Sequence, residues 1–283
     1  MRGIIRGARI AGFTAAMALV MNASAYAGGI YEPEVSMKDE PAPARRCSLS
    51  ANVGLTTDYG FRGFSQTDEG AAIQGGFDAT CGMFYAGVWA SNLDFGGAES
   101  SPGSGNFRDI ADIEIDLYAG VKATVPGTPV EMDVGVIYYT YPQAFDPGLE
   151  LDYWEIKVGA SATVVPDLLT AGLTVYYSPE YTGKTGENWV FEGTAEVSLP
   201  QVAIFTPAIS GTVGYQEGDT NNTPVPGLDY WYWNAGLSLG FLEKFSLDLR
   251  YWDTELQGVG NTCTGRTVFQ CDERFVATLS ASF

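Results

Sequence analysis

Charged side chains in this sequence recur at a spacing of two. Asp112, Glu114 and Asp116 form one such set, and Glu131 and Asp133, Glu155 and Lys157, and Asp248 and Arg250 form others; Glu192 and Glu196 stand four apart. In an extended strand residues i and i+2 share a face, so each set presents its charges on one side. Paired carboxylates could serve general acid–base chemistry or hold a cation. The chain has no His, which removes Ser-His-Asp catalysis and His-assisted metal ligation. No G-x-S-x-G, Walker or dinucleotide pattern stands in its required context. We therefore assign no catalytic residue, metal or cofactor and read the chain as non-enzymatic. What remains for these carboxylates is the lining of a hydrated lumen. The candidates are Asp112, Glu114, Asp116, Glu131, Asp133, Glu155, Lys157, Glu192, Glu196, Asp248, Arg250 and Arg274. Acidic rings favour cations, and the few bases can pair with acids across the bore. A salt-bridged interior that conducts nothing is the alternative.

Such a lining needs strands to carry it. Twelve strand-like segments are expected at 48–60, 70–80, 83–94, 111–124, 131–142, 152–164, 168–178, 189–199, 204–216, 230–241, 245–255 and 273–283. Several alternate cleanly: Ile113, Ile115, Leu117, Ala119 and Val121 oppose Asp112, Glu114, Asp116 and Lys122. Connections of two kinds also alternate. Short turns fall at 81–82, 125–130, 165–167, 200–203 and 242–244; longer polar loops fall at 61–69, 95–110, 143–151, 179–188, 217–229 and 256–272. Short turns at one end and long loops at the other are the pattern of an outer-membrane barrel with an even strand count. The fold class expected is all-β, a transmembrane antiparallel up-and-down barrel of about twelve strands. A soluble periplasmic β-protein is the competing reading.

Aromatic residues cluster near the long loops: Tyr59, Phe61, Trp89, Tyr138, Tyr139, Tyr141, Trp154, Tyr176, Tyr177, Trp189, Tyr215, Trp231, Trp233, Tyr251 and Trp252. They are expected to form a belt at the membrane interface. Phe84, Phe205, Phe241, Phe245 and Phe283 fall near the opposite rim. Cys47 opens the first strand and Cys81 sits in the first short turn, so a Cys47–Cys81 disulfide is expected; a second, Cys263–Cys271, would cinch the last long loop. A metal site is the alternative, against which stand the missing His and the missing C-x-x-C spacing.

The amino-terminal segment 1–27 carries Arg2, Arg6 and Arg9, an apolar run from Ile10 to Val20, and the small-residue site Ala25-Tyr26-Ala27. It reads as a secretory signal peptide; the apolar run is too short for an anchor. Segment 28–46, rich in Pro and acids, reads as a flexible periplasmic lead-in, and 47–283 as the barrel. Fifteen Lys and Arg against 34 Asp and Glu give a net charge of −19, which repels nucleic acid. The last strand alternates through Phe275, Ala277, Leu279, Ala281 and Phe283. It is expected to pair with the first and close the barrel.

One stretch carries a family resemblance. It reads N-V-G-L-T-T-D-Y-G-F-R-G-F-S-Q-T (52–67), A-I-Q-G-G-F-D (72–78) and F-Y-A-G-V-W-A-S-N (84–92). This resembles the proteobacterial Gcw_chp family, the TorF-type porins. The resemblance implies an outer-membrane porin of a Gram-negative bacterium with no assigned substrate. Asp58, Arg62, Gln66 and Asp94 then fall at the outer rim. Arg62 is expected to bridge to Asp58 or Asp94 and hold the first long loop; contact with a solute at the pore mouth is its other reading. The expected function is passive passage of small solutes or ions with a cation preference. A non-conducting barrel that acts through its outer loops is the alternative. Expected partners are outer-membrane lipid and lipopolysaccharide, the barrel assembly machinery, and small solutes or cations, with no nucleic acid.

Overall fold

The computed structural model describes residues 47–101, 103–145, 150–221, 227–256 and 270–283. The signal peptide and lead-in expected over 1–46 lie outside the described residues. The strands are β1 (Cys47–Thr56), β2 (Gly60–Phe61), β3 (Phe64–Ser65), β4 (Ala72–Cys81), β5 (Phe84–Asn92), β6 (Gly97–Glu99), β7 (Phe107–Asp109), β8 (Ile113–Thr124), β9 (Val130–Thr140), β10 (Tyr153–Val165), β11 (Leu169–Ser178), β12 (Asn188–Ser198), β13 (Phe205–Gly218), β14 (Tyr230–Phe241), β15 (Phe245–Thr254) and β16 (Arg274–Ser282). A single 3₁₀ turn, Thr182–Lys184, is the helical element among the described residues.

Twelve of these strands close into one barrel in the order β1-β16-β15-β14-β13-β12-β11-β10-β9-β8-β5-β4, while β2–β3 and β6–β7 form separate hairpins. Every barrel pair is antiparallel. At the seam, Asn52 to Thr56 pair with Ser282 to Thr278. Beyond it, Phe283 and Ala51 exchange backbone hydrogen bonds of 2.9 and 3.0 Å. Closure satisfies every ladder and leaves no edge exposed to lipid, which a membrane-crossing sheet requires. Strands of 9 to 14 residues meet the ~9–11 needed to cross a bilayer at a tilt.

Alternation sorts the side chains by chemistry. Outward positions along the barrel carry Leu, Ile, Val, Phe and Ala, with Leu49 85% and Phe275 82% exposed. The charged exceptions on the outward face, Glu217 and Asp253, sit at the outer ends of β13 and β15. A continuous uncharged belt is unsustainable in water, where patches of a few hundred Å² already mark interaction sites. Its solvent is lipid. No helix among the described residues is long and apolar enough to cross a membrane; the strands do the crossing.

The aromatic belt divides by the same rule. Tyr138, Trp154, Tyr177, Trp189, Trp231 and Trp233 face outward near the long loops, where Tyr138 donates to Asp152 at 2.9 Å and Trp189 to Glu187 at 3.0 Å. Tyr59, Trp89, Tyr139, Tyr141, Tyr176 and Trp252 do not join them: they are buried inside the barrel. They sit on the inward parity of their strands or, for Tyr59 and Tyr141, on loop residues that turn inward. The expected Cys47–Cys81 disulfide is present, across a directly opposed β1–β4 pair at the short-turn rim. Cys271 is buried and disulfide-bonded; Cys263 lies outside the described residues.

Candidate functional site: an occluded lumen

The first long connection does not project outward. β1 ends at Thr56, four residues short of the expected end, and the chain turns into the barrel as the β2–β3 hairpin. Its two-residue tip is Arg62-Gly63, with φ of 47° and 88°. Two consecutive positive φ values are what a tight hairpin turn demands, and Gly supplies one without strain. Gly63 is also fixed by space: a Cβ there would lie 2.2 Å from Thr254 Cγ2 on β15.

Arg62 spans the bore. Its Nη1 and Nη2 donate to Glu155 Oε1 and Oε2 at 2.8 and 2.7 Å, a two-point contact that fixes orientation as well as charge. The Tyr139 hydroxyl donates to the same carboxylate at 3.3 Å. The guanidinium carbon lies 4.7, 5.0 and 5.9 Å from the ring centres of Phe61, Tyr176 and Tyr181. On the opposite wall, Tyr230 donates to the Arg62 carbonyl at 3.0 Å.

A second anchor holds the hairpin base. Arg274 donates from Nε to Asp58 Oδ2 at 2.6 Å and from Nη1 to the Gly63 carbonyl at 2.9 Å. Asp58 Oδ1 accepts from Ser65 and Thr67 at 2.5 and 2.9 Å. Gln66 takes part through its backbone: its carbonyl accepts the Asp94 amide at 2.9 Å. On the third side, Tyr59 donates to Glu114 at 2.7 Å and its ring meets Trp89 edge-on at 5.3 Å.

Sequence-based placement and structure differ at three points. Asp58, Arg62 and Gln66 are buried inside the barrel, not at its rim. Arg62 pairs with Glu155, neither with Asp58 nor with Asp94, because the hairpin carries it across the bore. Asp94 is exposed, and its carboxylate accepts the Gly96 amide at 3.0 Å. Asp112 is exposed just before β8; its carbonyl accepts the Leu93 amide at 2.8 Å. Strand parity holds only within the strand, and Asp112 lies beyond its end. The other lining candidates point inward.

Those inward candidates fall into two levels. The outer level holds Glu114, Asp116, Glu155, Glu192 and Arg274. Asp116 is 0% exposed, and neither carboxylate oxygen has a hydrogen-bond partner among the described residues. Glu192 accepts from Tyr232 at 2.6 Å. The periplasmic level holds Glu131, Asp133, Lys157, Glu196, Asp248 and Arg250. Lys157 pairs with Asp133 at 2.8 Å, and Tyr85 donates to that carboxylate at 2.7 Å. Arg250 binds Asp248 at 3.0 Å, Asn234 at 2.6 Å and Ser210 at 2.9 Å. Lys122 and Glu131 approach to 3.6 Å near the mouth.

Glycines make room for the inward rings. A Cβ on Gly87 would meet Tyr118 at 2.3 Å, and one on Gly214 would meet Tyr232 at 2.1 Å. Tyr118 lies flat enough over Gly87 to donate to Asp78 on β4. These tyrosines pack among the inward carboxylates, and the charge pattern did not single them out; the pairing of Tyr with Gly on opposed strands is the signal that carries them.

Residues 40–283 match the family model described as "Bacterial protein of unknown function (Gcw_chp)". None of the curated proteins matches the sequence significantly. Among solved structures, the KdgM porin aligns with a TM-score of 0.51 and 8% identity over 83% of this chain and 98% of its own. The NanC porin gives 0.45 and 13% over 83% and 99%, and LpxR from Salmonella typhimurium gives 0.45 and 11% over 83% and 99%. The KdgM likeness concerns the fold. A closed barrel with an uncharged outward belt and a charged interior places the protein in the outer membrane.

Proposed function

Since the chain belongs to the Gcw_chp family, whose description assigns no activity, we infer its function from the lumen and propose an outer-membrane channel for small solutes or ions, closed in this conformation by the β2–β3 hairpin. The observation that carries the reading is the charged interior on both sides of that hairpin. A barrel built only for structure could fill its bore with apolar side chains. This one keeps Asp133, Lys157, Glu196, Asp248 and Arg250 facing the periplasmic half, and it closes the outer half with a segment that is no part of the wall.

Cation preference belongs to the same proposal. Arg62, Lys157, Arg250, Arg274 and Lys122 each have an acidic partner inside the barrel. Asp78, Glu114, Asp116, Glu192 and Glu196 lack a cationic one among the described ion pairs. Where these carboxyl groups are ionised, that surplus of acid favours cations. KdgM is described in complex with disordered oligogalacturonate, a polyanion; the acid surplus here sets this chain against such a ligand. Lipopolysaccharide along the outward Tyr and Trp band, and the assembly machinery at the β16 strand, complete the proposed partners.

Planar-bilayer recording tests the reading. Purified protein should give discrete steps with a cation-biased reversal potential in a KCl gradient, and Arg62→Ala should raise the open fraction. Bilayers that stay silent for both, at insertion verified by heat-modifiable mobility, would overturn it. That outcome would favour the second reading, a non-conducting barrel acting through its outer loops, for which the filled outer half speaks.

A further inference from the structure

The seat of Arg62 is built by the barrel wall. Glu155 comes from β10, Tyr139 from β9 and Tyr176 from β11, and Tyr181 follows β11; of the groups around the guanidinium, Phe61 alone travels with the hairpin. With the hairpin withdrawn, the wall would still present a two-oxygen carboxylate flanked by ring faces. That combination recognises a planar cation: the fork geometry matches guanidinium, and the rings attract its face. Burial adds selectivity, since Glu155 has no exposed surface. A carboxylate in so dry a site gains most from a partner that meets both of its oxygens, and a guanidinium does so. Asp116 adds a second carboxyl group to the same wall. It stands opposite Tyr139 across the β8–β9 ladder, fully buried, with both oxygens unpartnered among the described residues.

We propose that the Glu155–Tyr139–Tyr176 seat is a binding site for small guanidinium-bearing solutes, and that Arg62 is a tethered competitor occupying it while the channel is closed. This rests on the channel reading and names its solute class. A free solute must compete with a tethered group whose effective concentration is about millimolar. Removing Arg62 therefore exposes the site's affinity directly.

The test uses methylguanidinium chloride as probe and methylammonium chloride as control, on full-length protein. Arg62→Ala channels should be blocked by methylguanidinium at concentrations at least tenfold below those affecting the wild type. Methylammonium should block at least several-fold more weakly. Arg62→Ala/Glu155→Gln, which removes both partners and leaves no buried unpaired charge at that pair, should lose the block tenfold or more. Equal block by both cations, or block unaffected by Glu155→Gln, would overturn the proposal. Conducting Arg62→Ala channels that ignore methylguanidinium would overturn it while leaving the channel reading intact. Calorimetric titration of the detergent-folded variants gives an independent arm. Saturable, Glu155-dependent heat in a silent barrel would support the site and sink the channel; no heat would sink the site. Should Arg62→Ala not fold, Arg62→Gln removes the charge at nearly the same volume and carries the same predictions.

Discussion

Glu155 and Asp133 sit on neighbouring strands of one barrel, and each accepts a cation and a tyrosine hydroxyl. Glu155 is 0% exposed and its cation arrives on a loop; Asp133 is 18% exposed and its cation stands on the adjacent strand. Toward the mouth exposure rises further, to 40% at Glu131. The outer half of the bore is thus packed like a protein interior, with rings, a hairpin and buried ion pairs. The periplasmic half is mixed: Arg250 and Asp248 pair within β15 and are buried, whereas Lys157–Asp133 and Lys122–Glu131 tie neighbouring strands and grow wetter toward the mouth. The difference shows how one fold can be made both closed and poised. The wall supplies a charged bore throughout, and in the proposed channel the hairpin of a few residues is the element that opens or closes its outer half.

The sharpest way to break this comparison is to remove the hairpin. Replacing residues 60–65 by a short Gly-Ser linker should raise single-channel conductance on the order of tenfold, since a filled bore then becomes an open one. Unchanged conductance would mean that the outer half is closed by the wall itself. Next in size is Glu155→Ala, which strands Arg62 in a buried site and should lower unfolding stability by ~3–5 kcal/mol. Urea titration of protein in lipid vesicles measures it. Gly63→Ala should follow. Its φ of 88° and the 2.2 Å approach to Thr254 imply ~1–3 kcal/mol of strain, read as faster protease cleavage of the hairpin rather than loss of the barrel. Asp133→Ala should cost less, about 1–3 kcal/mol, because the flexible stem of the orphaned Lys157 can swing its ammonium toward the wetter mouth, as the fixed Arg62 fork cannot. Equal losses for Glu155→Ala and Asp133→Ala would erase the distinction between the two halves.

The strands were legible because period-two alternation is written directly in the side chains, and loop length told one end of the barrel from the other. Ile113 to Val121 on one face and Glu114 to Lys122 on the other leave little choice of register. Two features were hidden. Parity alone cannot say whether an aromatic near an interface faces lipid or bore, so Tyr138 and Tyr139 read alike although they point oppositely. And a long loop reads as polar and outward until its own pairing is noticed. The F-R-G-F tip carries that signal: a two-residue turn ending in Gly between matched Phe residues is a hairpin pattern. What sequence could not supply is the partner. Glu155 lies 93 positions from Arg62, and only closure of twelve strands brings them together.

The smallest effect should come from the mouth, and it sharpens the comparison from its other end. Lys122 and Glu131 stand 3.6 Å apart, 26% and 40% exposed. A pair this wet gains little Coulomb energy and holds two flexible chains in place, so Lys122→Ala should cost only ~0–1 kcal/mol of stability. Its consequence should be electrical. Removing one of the few bases from an acidic vestibule leaves Glu131 uncompensated at the entrance. The reversal potential in a KCl gradient should then move by a few millivolts toward the cation limit at 0.1 M salt. The shift should vanish near 1 M, where the screening length falls to about 3 Å. A stability loss approaching that of Glu155→Ala would contradict the view that packing relaxes at the mouth. A shift that persists at high salt would place Lys122 in a site screened from solvent.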